Sequence, residues 1–185
     1  IAAADLLGIP QTYVKKALKE VHVPGRMGIY ITNDKKVVAV SDYAHNRLSF
    51  ESLIQTMKKS YPNYKIISVF GAPGGKALGR REELGTVGGR YSDYAILTMD
   101  DPNFEEVEVI SAEIAKYVEK EGTSYEIVLD RKAAIKKAFQ LAKEKTIILA
   151  IGKGHEKTIK IEGRDVPIKS DDEIMLELVA DYDTK

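Results

Sequence analysis

The stretch from Thr146 to Ile151 is the most continuously apolar run of the chain, and it stops abruptly at Gly152-Lys153-Gly154. A strand that is apolar on both faces has no wet side, so it belongs in the interior of a sheet covered from above and below. The segments around it alternate between short β-rich runs and stretches of helical period. Helical patterns cover 11–20, then a stretch capped by Asn46 or Ser49 that runs to Lys59 with Leu53, Ile54 and Met57 inward. They continue with Arg81 to Tyr91, with Val107 to Glu119 (Ile110, Ile114 and Val118 on one stripe), and with a helix from an Asp130 cap to Lys143. Strand patterns cover 29–32, 37–40, 65–70, 94–98 and 125–129. Asn33-Asp34-Lys35-Lys36 turns the first two strands into a hairpin, and Glu162-Gly163 turns Lys157 to Ile161 onto Arg164 to Ile168. Ser170-Asp171-Asp172-Glu173 is a capping box that opens a last helix through Ala180. The alternation predicts an α/β fold: a Rossmann-like, mostly parallel sheet flanked by helices, with a hairpin strand near each end.

Composition narrows the function classes. A chain of 185 residues suits one domain with a real core. Its 28 basic and 28 acidic residues cancel, so no global field points to nucleic acid or an anionic membrane. There is no cysteine, which excludes disulfides, thiolate catalysis and thiolate metal sites. No apolar run reaches the roughly 18 residues of a membrane span, and Ile1-Ala2-Ala3-Ala4 lacks the charged start of a secretion signal. The chain opens without Met and inside a helical pattern, which reads as part of something longer and intracellular. The three histidines are scattered, with no spacing that suits a metal, and His22 reads as structural or solvated at a helix end. There is also no Gly-x-x-x-x-Gly-Lys-Ser/Thr phosphate loop.

In open α/β sheets, ligands collect at the carboxyl ends of the strands. Five loops with chemical character fall there: Ser41–Arg47, Gly71–Arg81, Met99–Asn103, Asp130–Arg131 and Gly152–Glu156. In Asp42-Tyr43-Ala44-His45, a carboxylate and an imidazole stand at a strand end, within one hairpin of Val23-Pro24-Gly25-Arg26-Met27. The plainer reading is a capping Asp and a surface His. Gly71-Ala72-Pro73-Gly74-Gly75-Lys76 allows backbone N–H groups close to an anion, and Arg80-Arg81 adds fork-shaped donors, unless these are a turn and a solvated helix start. Asp100-Asp101-Pro102-Asn103 offers two acids and an amide to an ammonium, or is simply a stiff turn. In Gly152-Lys153-Gly154-His155-Glu156 the glycines permit close approach while the other residues supply donors and an acceptor.

Together these five motifs resemble the carboxy-terminal domain of Mur ligases of the MurE type, in order and over nearly the whole chain. On that resemblance, residues 1–22 correspond to the end of a central ATPase domain or a linker helix, and residues 23–185 to the carboxy-terminal domain. The resemblance implies a cytoplasmic, ATP-dependent ligase of peptidoglycan synthesis. ATP phosphorylates the carboxylate of UDP-N-acetylmuramoyl-alanyl-glutamate, and the amine of a diamino acid attacks the acyl-phosphate, with Mg2+ screening the phosphates. The phosphate loop and magnesium ligands would lie in the central domain, so the 185 residues alone are expected to be inactive. The resemblance gives Arg26, Asp42 and His45 to the nucleotide, and Arg81 to the α-carboxylate of the incoming amino acid. It gives Asp100, Asp101 and Asn103 to the loop that recognises that amino acid, and Gly152 and Glu156 to its distal end.

Diaminopimelate-adding members carry an arginine at the end of an Asp-Asn-Pro-Arg motif. Here Asn103 stands at that place and Asp101 replaces the amide, which favours a side chain ending in a bare ammonium, as in lysine. The Gly71-Ala72-Pro73-Gly74 start leans the same way, whereas Gly154-His155-Glu156 is as in diaminopimelate enzymes. Two other readings remain at this stage. One is a related amide ligase of the folylpolyglutamate or cyanophycin synthetase type, and the other is a non-catalytic module binding a small anion.

Overall fold

A computed structural model describes residues 1–21 and 23–184. His22, read above as a helix-end residue, lies outside the described residues. Two short helices, α1 (Ala2–Leu6) and α2 (Gln11–Glu20), precede the hairpin of β1 (Gly28–Ile31) and β2 (Val37–Asp42). Then follow α3 (Arg47–Ser60), β3 (Lys65–Phe70), α4 (Gly79–Tyr91), β4 (Tyr94–Leu97), α5 (Val107–Lys120), β5 (Tyr125–Ile127), α6 (Arg131–Leu141) and β6 (Thr146–Ile151). A second hairpin, β7 (Thr158–Ile161) and β8 (Arg164–Pro167), leads into α7 (Asp171–Asp183).

Six strands form one sheet in the order β1-β2-β6-β3-β4-β5, and β7-β8 form a separate antiparallel pair. Among the described residues only β1 runs antiparallel within the large sheet; all other neighbours are parallel. The apolar run Thr146–Ile151 is the central strand, flanked by β2 and β3 and buried along its whole length. Alternate side chains divide the core into two layers, as the two-residue period of a strand requires. Val38, Val40, Ile66, Phe70, Leu97, Ile147 and Leu149 pack against α3, α4 and α5. Val37, Ala39, Val69, Ile96, Ile148 and Ala150 pack against α6 and α7. The α/β architecture and both hairpins agree with the sequence reading.

Helix starts follow local chemistry. Asn46 and Ser49 both serve α3, because they form a reciprocal capping box in which Asn46 Oδ1 accepts the Ser49 N–H at 3.0 Å. Asp130 caps α6 through the Ala133 N–H at 2.7 Å, and Ser170 with Glu173 closes the box of α7. Some ends shift. Helix α4 begins at Gly79 rather than Arg81, α6 stops at Leu141, and α7 runs on to Asp183. Strand β2 extends through Asp42 because its pairing with β6 continues to Ile151. Helices α1 and α2 bury no residue.

Candidate functional site

Strands β2, β3, β4 and β6 end side by side, and the loops that leave them enclose a cavity of about 240 Å³. Tyr43, Ala44 and His45 line it from the loop after β2, and Gly71, Pro73, Lys76 and Arg80 from the connection between β3 and α4. Asp100 and Asp101 follow β4, while Gly152 and Glu156 follow β6. Four of the five loops singled out in the sequence therefore meet at one place. The fifth, Asp130–Arg131, stands behind them.

The acidic side of the cavity is organised by Lys153, which the sequence reading mentioned only as one donor among several. Its ammonium is buried and lies 2.9 Å from Asp101 Oδ1 and 2.7 Å from Glu156 Oε2. Burial opposes the charge, but the hydrogen bonds of Glu156 and Asp101 outweigh it and hold the Lys153 pKa above its ordinary value. Asp101 also accepts the Lys160 N–H at 3.0 Å. Although burial works the other way, this bond and Lys153 hold its pKa below the usual carboxylate range. Asp100 differs: desolvation dominates and pushes its pKa up, against the pull of Arg131 and Lys153. The chain passes close beside it at Gly152, whose φ is +112°, and a β-carbon there would lie 2.5 Å from Asp100 Oδ2. Asp101 and Glu156 thus share the Lys153 ammonium, and Asp100 stands beside them under the pull of Arg131 and Lys153.

Behind this group Arg131 ties the strand ends together. It is buried, forks onto Asp171 at 2.8 and 2.7 Å, and donates to the carbonyls of Met99 at 3.1 Å and Ile151 at 2.9 Å. One side chain thereby joins the ends of β4 and β6 to the start of α7.

Of the residues expected on the nucleotide side, His45 lines the cavity, whereas Arg26 and Asp42 stand beside its Tyr43 wall. His45 Nδ1 lies 2.9 Å from the Tyr43 carbonyl. A carbonyl only accepts, so Nδ1 carries the hydrogen and Nε2 is the acceptor in the neutral ring. Arg26 is exposed, with its guanidinium 4.7 Å from the centre of the Tyr43 ring. Asp42 is buried, and its two oxygens accept the N–H groups of Met27 at 2.8 Å and Ala44 at 2.7 Å. It holds the Val23–Met27 turn on the end of β2. That turn also presses on the loop after β6, because a β-carbon at Gly25 (φ +71°) would lie 2.2 Å from His155 Nδ1.

Two residues expected at the amino-acid pocket are placed elsewhere. Arg81 does not line the central cavity. Its side chain is 5% exposed and pairs with Glu105 and, at 2.6 Å, with Glu113, against α5. Burial lowers its pKa, but the two glutamates more than compensate and raise it. Arg80 and Lys76, from the same segment, do line that cavity. Asn103 turns to the β7–β8 hairpin. Its Oδ1 accepts the Gly163 N–H at 2.9 Å, its N–H donates to the Lys160 carbonyl at 2.9 Å, and its φ is +56°. It lines a different cavity, beside Phe104 and Glu162.

Comparison with known proteins decides the lineage. Residues 25–154 match the family described as Mur ligase, glutamate ligase domain. The chain belongs to the Mur ligase family. Among its relatives is the UDP-N-acetylmuramyl-tripeptide synthetase of Ligilactobacillus salivarius (strain UCC118), 37% identical over 97% of this chain and 35% of that protein. The UDP-N-acetylmuramoyl-L-alanyl-D-glutamate–2,6-diaminopimelate ligase of Clostridioides difficile (strain 630) is 38% identical over 89% of this chain and 34% of that protein. A solved structure of a ligase of the latter name superposes with a TM-score of 0.75 at 27% identity, over 100% of this chain and 37% of that one. The chain therefore spans about a third of the length of the Mur ligase relatives it matches. No described helix is long and apolar enough to cross a membrane.

Proposed function

We propose that this domain forms the amino-acid pocket of an ATP-dependent, cytoplasmic ligase of the MurE type. The ligase adds a diamino acid, L-lysine in preference to meso-diaminopimelate, to UDP-N-acetylmuramoyl-L-alanyl-D-glutamate during peptidoglycan synthesis. The observation that carries the reading is the polarity of the central cavity. Asp100, Asp101 and Glu156 line it from the loops after β4 and β6, and Lys76 and Arg80 from the connection between β3 and α4. A diamino acid fits such a space with its distal ammonium among the carboxylates and its α-carboxylate at the basic rim. Lys153 is engaged by two acids and Arg131 by Asp171. Neither of these buried cations is free for a second carboxylate, which favours lysine over diaminopimelate.

In this reading Arg26 and His45 face the nucleotide from the mouth. Asp42 serves it through the turn that carries Arg26, which would place one wall of the ATP site on this domain. The donor set does not suit magnesium: among the described residues no group of three or more His, Asp or Glu side chains could hold a metal ion. The ion and the phosphate grip then belong to the rest of the protein, and the isolated domain would not turn over. A competition assay in the full-length ligase, with lysine, diaminopimelate and ornithine, tests the substrate. Lysine should exceed diaminopimelate in kcat/KM by about tenfold or more, the cost of burying an unpaired carboxylate. Equal or reversed values would reject the preference.

A further inference from the structure

Arg80 and Arg81 are adjacent in sequence, yet only Arg80 reaches the central cavity, and the difference has a structural use. The segment 75–81 carries Lys76 and Arg80 over that cavity. It is held at both ends by one carboxylate. Glu105 Oε1 accepts the Gly75 N–H at 2.9 Å, and its Oε2 pairs with the Arg81 guanidinium. The other arm of Arg81 donates to Glu113 Oε2 at 2.6 Å, which fixes the guanidinium against α5. The backbone bond to Gly75, and after it the pairing with Arg81, keep the Glu105 pKa below its ordinary value. The stretch between these anchors needs holding. Ala77 sits at φ +50°, a left-handed conformation that a residue with a β-carbon adopts at a cost. The burial of Arg81 also leaves its Nε without a partner, a further cost that packing alone does not explain.

We propose that Glu105, Arg81 and Glu113 form a staple that sets the height of the 75–81 segment, so that Lys76 and Arg80 meet the anionic end of the substrate. Arg81 and Glu105 are then positioning residues rather than contacts. The proposal rests on the reading of the cavity as an amino-acid pocket. Glu105→Gln isolates it, because the residue is partly exposed and the change keeps its shape. The amide can still accept from Gly75, but its NH2 group then faces the donors of Arg81, so one anchor is lost.

The experiment is a double-mutant cycle in the full-length ligase, with Glu105→Gln and Lys76→Met made singly and together, reading the KM values for amino acid and for ATP. Each single change should raise the amino-acid KM by about tenfold, with the ATP KM within about twofold of the parent's. In the Lys76→Met background, Glu105→Gln should raise that KM by clearly less than it does in the parent, because one of the two cations that the staple positions is already removed. Fully multiplicative effects would overturn the staple, since Glu105 would then act by another route. An unchanged amino-acid KM in Glu105→Gln would overturn it as well, while Lys76→Met alone still supported the pocket. If Lys76→Met also left that KM unchanged, the pocket reading would fail and the staple with it.

Discussion

Lys153 shows how much of the site rests on a single side chain. Removing its ammonium leaves Asp101 and Glu156 facing each other across a partly buried space with no counter-ion. Breaking a fully buried ion pair typically costs about 3–5 kcal/mol. These carboxylates are 27% and 35% exposed, so water takes up part of the loss. The Lys153→Met variant should therefore lose roughly 2–3 kcal/mol, read from denaturant unfolding of the 185-residue chain. A loss below about 0.5 kcal/mol would mean that the two acids relax apart freely and that Lys153 does not organise them. At this scale the sequence was only partly legible. A lysine between two glycines after a buried strand signals a ligand loop, but nothing local says that it serves two acids, one of them 52 residues away. Glu105 carried no signal of any kind, because its work depends on α4 and α5 lying together.

Arg80 and Arg81 make the same point for whole elements. Successive residues on a helix are about 100° apart, so moving the start of α4 does not matter as much as which arginine its phase turns toward α5. Sequence could place the helix within two residues but not set its rotation about its axis. The placement of Asn103 was not legible for a related reason: its partners sit on β7 and in the turn before β8, about 60 residues on, and a hairpin's docking is not written in its own pattern. Helix caps, by contrast, were readable because their partners lie within three residues, as at Asn46, Asp130 and Ser170. The cap of α7 also predicts a pH dependence. The Lys157 side chain, and then the Ser170 N–H, hold the Glu173 pKa at about 2, below its ordinary 4.5. A depressed carboxylate pKa stabilises the fold above the unfolded value and loses that effect as pH falls through the folded one. The thermal midpoint of the parent should thus decline more steeply between about pH 5 and 2 than that of Glu173→Gln. Parallel curves for the two proteins would remove Glu173 from the acid response.

On the scale of the molecule, the buried strand β6 fixes both the fold and the site. It lies between β2 and β3, so the chain must leave the sheet centre, build β4 and β5 outward, and return. That return brings Gly152–Glu156 between loops that left the sheet more than 50 residues earlier. The convergence followed from parallel alternation alone, which is why the cavity was legible before any side chain had been placed. Which of its residues point inward was not. Helices α1 and α2, in contrast, expose Leu6, Tyr13 and Leu18 and contribute nothing to either core layer. The account depends on the cavity holding a zwitterion by its distal ammonium at the acidic side. The most direct measurement is the KM for lysine and for ATP in the full-length ligase carrying Glu156→Gln. The lysine KM should rise by about tenfold or more, the loss of one charged hydrogen bond, with the ATP KM unchanged. An unaltered lysine KM, or an equal rise for ATP, would contradict the account.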